Sequence, residues 1–208
     1  MIKLYGTPPT RALRVIWLLN ELGLEYQMLP VDILKGETRE AGFLALNPAG
    51  KVPVLVDGDL VITESCAIQL YLADKYSQAG FIPEAVEDRA KMYRWIFFLA
   101  TEIEQPLWRI ARHTFLYPKE KQLPEDVDLA RQECLEMLAV LEQHMKMRDF
   151  MVADRLSVAD FNAAYTLDWA NEEKMLKDFP ALSAYLTSMY SRPTAPPSTS
   201  GVVRAPAS

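Results

Sequence analysis

Cysteine and histidine are nearly missing from this chain, with two of each in 208 residues. Cys66 and Cys134 lie far apart, so a disulfide framework is excluded and a reducing, cytoplasmic setting is expected. His113 and His144 have no cysteine cluster beside them, which argues against a structural zinc site, and no metal is expected. No run of about 18 apolar residues is present, so no membrane-spanning helix is expected. The N-terminus lacks a basic segment followed by an apolar one, so no export signal is expected. Positive charge is also short: the net charge is −6, with no basic stripe. A phosphate backbone would be repelled, and nucleic acid is excluded as a partner.

What the chain does contain is a good supply of core. Half of the residues are hydrophobic and 24% are charged, enough for one large or two small domains. The first 76 residues mix two periods. Ile2–Tyr5 reads as a short strand. Ala12, Val15, Ile16, Leu19 and Leu22 then fall at helical spacing, with Arg11, Arg14 and Glu21 off the stripe, and Gly23 ends the helix. Tyr26–Ile33 reads as a second strand, followed by a loose segment over 35–47. Two apolar runs then flank Asp57-Gly58, a strong hairpin signal. Glu64-Ser65 opens another helix, whose positive end suits a carboxylate. The order β-α-β-(α)-β-β-α is that of a thioredoxin-like domain.

After residue 83 every strong pattern is helical. Residues 87–116 read as one long helix, bent or interrupted at Pro106. Residues 126–147 carry an apolar stripe from Val127 to Met145. In "LSVADF", Ser157 and Asp160 have the spacing of a capping box, with Leu156 and Phe161 as its hydrophobic staple. Pro180–Ser191 is a last short helix. The expected division is a thioredoxin-like domain over 1–77, a linker over 78–86, an all-α domain over 87–192 and a flexible tail over 193–208. The tail is Pro-, Ser-, Thr- and Ala-rich, with little to bury, and is expected to be mobile or draped over the surface.

Two stretches carry a family resemblance. "NPAGKVPVLVDGDLVITESCAIQLYLADKY" resembles the glutathione-binding segment of the cytosolic glutathione S-transferases, and "RLSVADF" resembles the capping motif of their second domain. N-P-x-G-x-V-P, E-S and S-x-A-D in this order make the match specific up to about residue 192. The resemblance implies a cytoplasmic homodimer that uses glutathione as co-substrate. It implies a cis Val52-Pro53 turn offering the Val52 main chain to the cysteinyl part of glutathione, by strand addition. Glu64 would pair with the γ-glutamyl ammonium. The Ser65 hydroxyl and the helix N-terminus would take the adjoining carboxylate, a role compatible with capping. Lys51 and, more weakly, Asn47 would contact the rest of the ligand.

The chemistry implied is stabilisation of a thiolate. A free thiol has a pKa near 8.5, so only a small fraction is ionised at neutral pH. One hydrogen bond to a charged group contributes about 1.5–3 kcal/mol, roughly one to two pKa units, and a helix N-terminus adds about 0.3–1 kcal/mol. A single donor at the first turn of the first helix therefore suffices. The family places Tyr, Ser or Cys there. This chain has Thr7-Pro8-Pro9-Thr10-Arg11, which is similar to the Ser-x-Pro-Cys-Arg of theta- and delta-like members and to a bacterial form of that turn. The alignment makes Thr7 the expected donor and Thr10 the expected helix cap, with Thr10 as second candidate. Tyr5 is expected in the core. No Cys-x-x-Cys stands at this turn, so any disulfide chemistry must use glutathione itself.

The second substrate is expected against the later half of the long helix, at Trp108, Arg109, Arg112 and His113, with Phe115 and Tyr117 beside them. Arg109, Arg112 and His113 are at i, i+3 and i+4 and share a face. That face suits an anionic electrophile, and suits solvent or a dimer contact equally. Conjugation to an electrophile and reduction of a peroxide or disulfide are both compatible with the site. A non-catalytic glutathione-binding module is the alternative. Isomerisation with glutathione as cofactor fits less well, because the zeta-like turn is Ser- and Cys-rich.

Overall fold

Alternating burial builds the first strand: Ile2 and Leu4 are buried, Lys3 is exposed and Tyr5 half-buried. In the computed structural model, which describes residues 1–201, that strand (β1, Ile2–Tyr5) lies inside a four-stranded sheet of order β2-β1-β3-β4, with β2 at Tyr26–Leu29, β3 at Val54–Asp57 and β4 at Leu60–Thr63. β1 pairs parallel with β2, Ile2 opposite Tyr26, and antiparallel with β3, Tyr5 opposite Val54. The helix α1 (Ala12–Glu21) makes the parallel crossover. β3 and β4 form the expected hairpin, but Asp57 pairs with Leu60, so the two-residue turn is Gly58-Asp59. β2 is shorter than the sequence suggests. Pro30 offers no N–H to a ladder, and the Val31 main chain is bonded to Thr7 instead.

The segment read as loose contains a short helix, α2 (Ala41–Leu46). Its Phe43 joins Val31 and Val54 in a small buried cluster, flanked by Tyr5, Leu46 and Val52. α3 (Ser65–Lys75) packs on α1. Arg14, placed off the apolar stripe of α1, is in fact 1% exposed: its carbonyl accepts from Gln69 Nε2 at 2.8 Å and its Nη1 approaches Cys66 Sγ at 3.7 Å. The chain divides into two units, the first being Met1–Ile82 with Pro193–Pro196 and the second beginning at Pro83.

The second unit is helical throughout: α4 (Val86–Phe98), α5 (Glu104–Ala111), α6 (Pro124–Met145), α7 (Val158–Glu172) and α8 (Pro180–Tyr190). The predicted long helix is present in pieces. α4 and α5 are separated by a π-helical turn at Leu99–Ile103, and a second one follows at Arg112–Leu116. Pro106 lies in the first turn of α5, where its missing N–H costs least, so the irregularity falls just upstream of it. α7 is buried nearly all round. Its polar groups are accommodated in place: Asn162 donates to Val158 O at 2.9 Å and Thr166 to Glu104 Oε1 at 3.0 Å. The capping box forms as read. Asp160 accepts from Ser157 N and Ser157 Oγ, both at 2.8 Å, and also from Met151 N and Tyr185 OH at 2.8 Å. Burial nevertheless pushes the Asp160 carboxyl up to about 6.

Of the two readings of the tail, mobile or draped over the surface, its described part follows the second. Ala195 and Pro196 are buried, and Asn20 donates to Thr194 O at 3.3 Å. Asp168, buried on α7, accepts from Ser198 Oγ (2.6 Å), Thr199 N (2.8 Å), Thr199 Oγ1 (2.9 Å), Tyr190 OH (3.0 Å), Ser200 N (3.3 Å) and Ser200 Oγ. A buried carboxylate needs such donors, and a Ser/Thr segment supplies them. The remainder of the predicted tail, 202–208, lies outside the described residues.

Candidate functional site

Gly6 sets the geometry of the active-site turn. Its φ is +152°, and a Cβ placed on it would stand 2.9 Å from Ala12 Cβ and 3.6 Å from Val52 Cβ. Only glycine lets the start of α1 and the Val52-Pro53 turn come this close to the end of β1. The sequence gives no signal for this beyond the glycine itself. The Val52-Pro53 bond is cis, as the resemblance implies, and Pro8-Pro9 is also cis.

The two threonines of the turn are used differently. The Thr7 hydroxyl donates to Val31 O at 2.9 Å and accepts from Val31 N at 3.0 Å. Its proton is directed at Val31 O, and the two bonds tie the turn to the segment after β2. Thr10 Oγ1 accepts from Ala12 N at 3.3 Å, although the N-cap position of α1 is held by Arg11. The Thr10 proton has no acceptor among the described residues. Val31, which no motif pointed to, is thus part of the site's support.

Glu64 precedes α3 with a φ of 64°, a sparsely populated region for a residue with a side chain. It is exposed, while Ser65 behind it is buried at the first turn of α3. Lys51 is exposed and has no ion-pair partner among the described residues. Asn47 is turned inward: its Nδ2 donates to Lys51 O at 2.7 Å and its Oδ1 accepts from Ala49 N at 3.1 Å. Asn47 braces the loop that carries Lys51 and Val52, and does not present its amide to a ligand.

The cluster expected to face an electrophile separates. Arg109 binds Asp126 through two nitrogens, at 3.2 and 2.5 Å, and also Glu133. The guanidinium beside Asp126 holds that carboxyl below its usual range. His113 Nδ1 accepts from Leu123 N at 3.2 Å, and its Nε2 lies 3.4 Å from Asp126. Arg109 and His113 therefore join α5 and the following π turn to α6, and are not open to a substrate. Arg112 begins that π turn. Its guanidinium lies 5.9 Å from the Tyr117 ring centre and has no carboxylate partner among the described residues. Trp108 and Tyr117 are half-buried and Phe115 is exposed. Cys134 is a core thiol whose pKa burial raises to about 12. No group of three or more His, Cys, Asp or Glu among the described residues could hold a metal, and no helix among them is long and apolar enough to cross a membrane.

The chain is a two-part protein: a thioredoxin-like unit, followed in sequence by an all-helical unit. Comparison with known proteins names the class. The family model for the glutathione S-transferase N-terminal domain matches residues 1–74, and that for the C-terminal domain matches residues 100–193. Glutathione S-transferase F9 of Arabidopsis thaliana is 31% identical over 202 residues, covering 93% of this chain and 94% of that protein. Glutathione S-transferase 3 of Zea mays is 33% identical over 168 residues, covering 78% and 75%. Among solved structures, glutathione transferase URE2P6 of Phanerochaete chrysosporium, in complex with oxidized glutathione, matches with a TM-score of 0.85 at 27% identity, covering 93% and 92%. The chain belongs to the glutathione S-transferase family. It is a glutathione transferase, with glutathione as its co-substrate.

Proposed function

We propose that this glutathione transferase activates its co-substrate through Thr10, with Thr7 holding the turn in place. The observation that carries this is the pair of hydrogen bonds between the Thr7 hydroxyl and the Val31 main chain, which leaves Thr10 as the hydroxyl of the turn with a proton to give. The theta- and delta-like alignment favoured Thr7, and the hydrogen bonding favours its neighbour. The glutathione thiol loses its proton to solvent, and the Thr10 hydroxyl donates to the resulting thiolate, assisted by the first turn of α1. The thiolate then attacks the electrophile, forming the carbon–sulfur bond as the leaving group departs. Val52 main-chain groups hold the cysteinyl part, Glu64 the γ-glutamyl ammonium, and Ser65 with the N-terminus of α3 its carboxylate. The Val52-Pro53 turn presents the main chain, and Lys51 reaches the glycyl end.

The electrophile meets Trp108 and Arg112, since Arg109 and His113 are engaged elsewhere. A guanidinium that makes no ion pair within 4 Å among the described residues favours a substrate carrying negative charge. Arg112→Ala is expected to raise KM for an anionic aryl halide more than for a neutral one. Val86, Ala90 and Phe97 form an exposed apolar stripe on α4, which suits the homodimer the family implies. Two cysteines that form no disulfide suit a cytoplasmic site of action.

Calorimetric titration with glutathione, thiolate absorbance and turnover of an aryl halide and a small mixed disulfide test the proposal together. Thr10→Val is expected to lower kcat/KM about ten- to a hundredfold, with Thr10→Ser close to wild type. Unchanged turnover in Thr10→Val would sink Thr10 as activator. Glutathione binding without turnover in the wild type would favour a non-catalytic module instead.

A further inference from the structure

α2 has six residues and only partly covers the sheet beneath it. Beside it, at the ends of β1 and β2, lies an open cleft of about 350 Å³, within the size range of small-molecule sites. Leu29, Pro30, Val31, Phe43 and Leu46 give it an apolar floor, and Tyr5 lines it as well. Phe43 and Val31 belong to the buried cluster, so the floor is fixed by packing. Glu37 and Glu40 stand at its rim. One Glu37 oxygen, Oε2, accepts from Asp32 N at 2.6 Å, which orients the carboxylate. Glu40 is exposed and has no cationic partner among the described residues, and the Tyr5 hydroxyl has no hydrogen-bond partner among them. The nearby cation Lys35 pairs with Asp32 at 3.2 Å, so it does not neutralise the rim.

An apolar floor under two carboxylates selects a molecule that is hydrophobic at one end and positive at the other. We propose that this cleft binds small arylalkylamines, the ring resting on Phe43, Leu46 and Pro30 and the ammonium lying between Glu37 and Glu40. None of its lining residues is assigned to glutathione, so the amine and the co-substrate bind together.

The test uses the full chain saturated with glutathione, which occupies the ammonium site at Glu64. Titration calorimetry compares 2-phenylethylamine, the neutral 2-phenylethanol and the anionic phenylacetate. The amine is expected to saturate, the alcohol to bind more weakly and phenylacetate not at all. Glu40→Gln should weaken the amine by up to about fivefold and leave the alcohol unchanged, as for one partly exposed ion pair. Gly42 lines the cleft, and a side chain there enters open space, so Gly42→Leu fills the site while improving helix propensity. It should abolish binding of amine and alcohol without changing glutathione affinity. An amine that fails to saturate overturns the proposal. So does one displaced by glutathione, matched by phenylacetate, or bound equally by both variants.

Discussion

Replacing Thr7 by valine removes both bonds that join the active-site turn to Val31, and leaves a part-buried N–H and C=O without partners. Each such loss costs about 1–3 kcal/mol, so Thr7→Val should lower the urea midpoint clearly while Thr7→Ser does not. The thiol pKa of glutathione bound to the folded fraction should stay where it is in the wild type. A raised thiol pKa in Thr7→Val would return the donor role to Thr7. Glu64 offers a second test at this scale. Its positive φ is a strain of about 1–3 kcal/mol that glycine would relieve. Glu64→Gly should therefore be more stable than Glu64→Ala by about 1 kcal/mol, while both lose glutathione affinity by the same factor. Equal stability would mean that the backbone there is relaxed. The residue scale was also where the sequence said least about support. Motifs singled out Val52, Pro53, Glu64 and Ser65, because the family resemblance is carried by those residue types in that order. Val31 went unnoticed and Arg14 was placed off the apolar stripe, since a residue that acts through its main chain, or a charge folded inward beside Cys66, leaves no pattern of spacing.

At the scale of elements, the reading depended on whether a segment carries its own period and its own caps. α1, α6 and α8 carry the period and α7 also its capping box, and each begins within a few residues of its predicted place. β2 was drawn too long because nothing local marks Val31 as bonded to a turn 24 residues earlier. The break in the long helix was assigned to Pro106, but the distortion lies in the preceding turn, Leu99–Ile103, which is π-helical. The capping box of α7 carries a pH signature. The Asp160 carboxyl sits at about 6, above its unfolded value near 3.8, so between these limits the folded state holds the extra proton. Stability from this group is then greatest at low pH and declines as pH rises through 6. Asp160→Asn lacks this gain. Its deficit against the wild type should grow by about 2 kcal/mol between pH 7 and pH 4.5, as urea titrations at the two values can show. A deficit that shrinks on acidification would mean that the four donors, not burial, set the carboxyl.

For the whole molecule, association is the first question. Phe97 is 66% exposed and Val86 70% exposed on one stripe of α4, an unusual cost for a monomer. Sedimentation should show a dimer for the wild type and a monomer for Phe97→Glu, and a Phe97→Glu dimer would place the interface elsewhere. The tail is the second question. Composition classed residues 193–208 as mobile or draped over the surface because Ser, Thr and Pro bury little. That inference omits a carboxylate waiting on α7, which no local window can reveal. Asp168→Asn should cost about 2 kcal/mol and expose the 193–201 segment to protease, since the hydrogen bonds lost are to a charged group.

The Asp168 knot also sets rules for what sequences the tail can hold. Main-chain N–H groups of residues 199 and 200 and hydroxyls of 198, 199 and 200 all converge on one carboxylate. In a library randomised over these three positions and selected for stability, serine and threonine should exchange freely. Proline should vanish from positions 199 and 200, whose N–H groups both donate to Asp168. Asp and Glu should vanish from all three. A stretch that reads as low complexity would then behave as a short, degenerate code, written against a single anion.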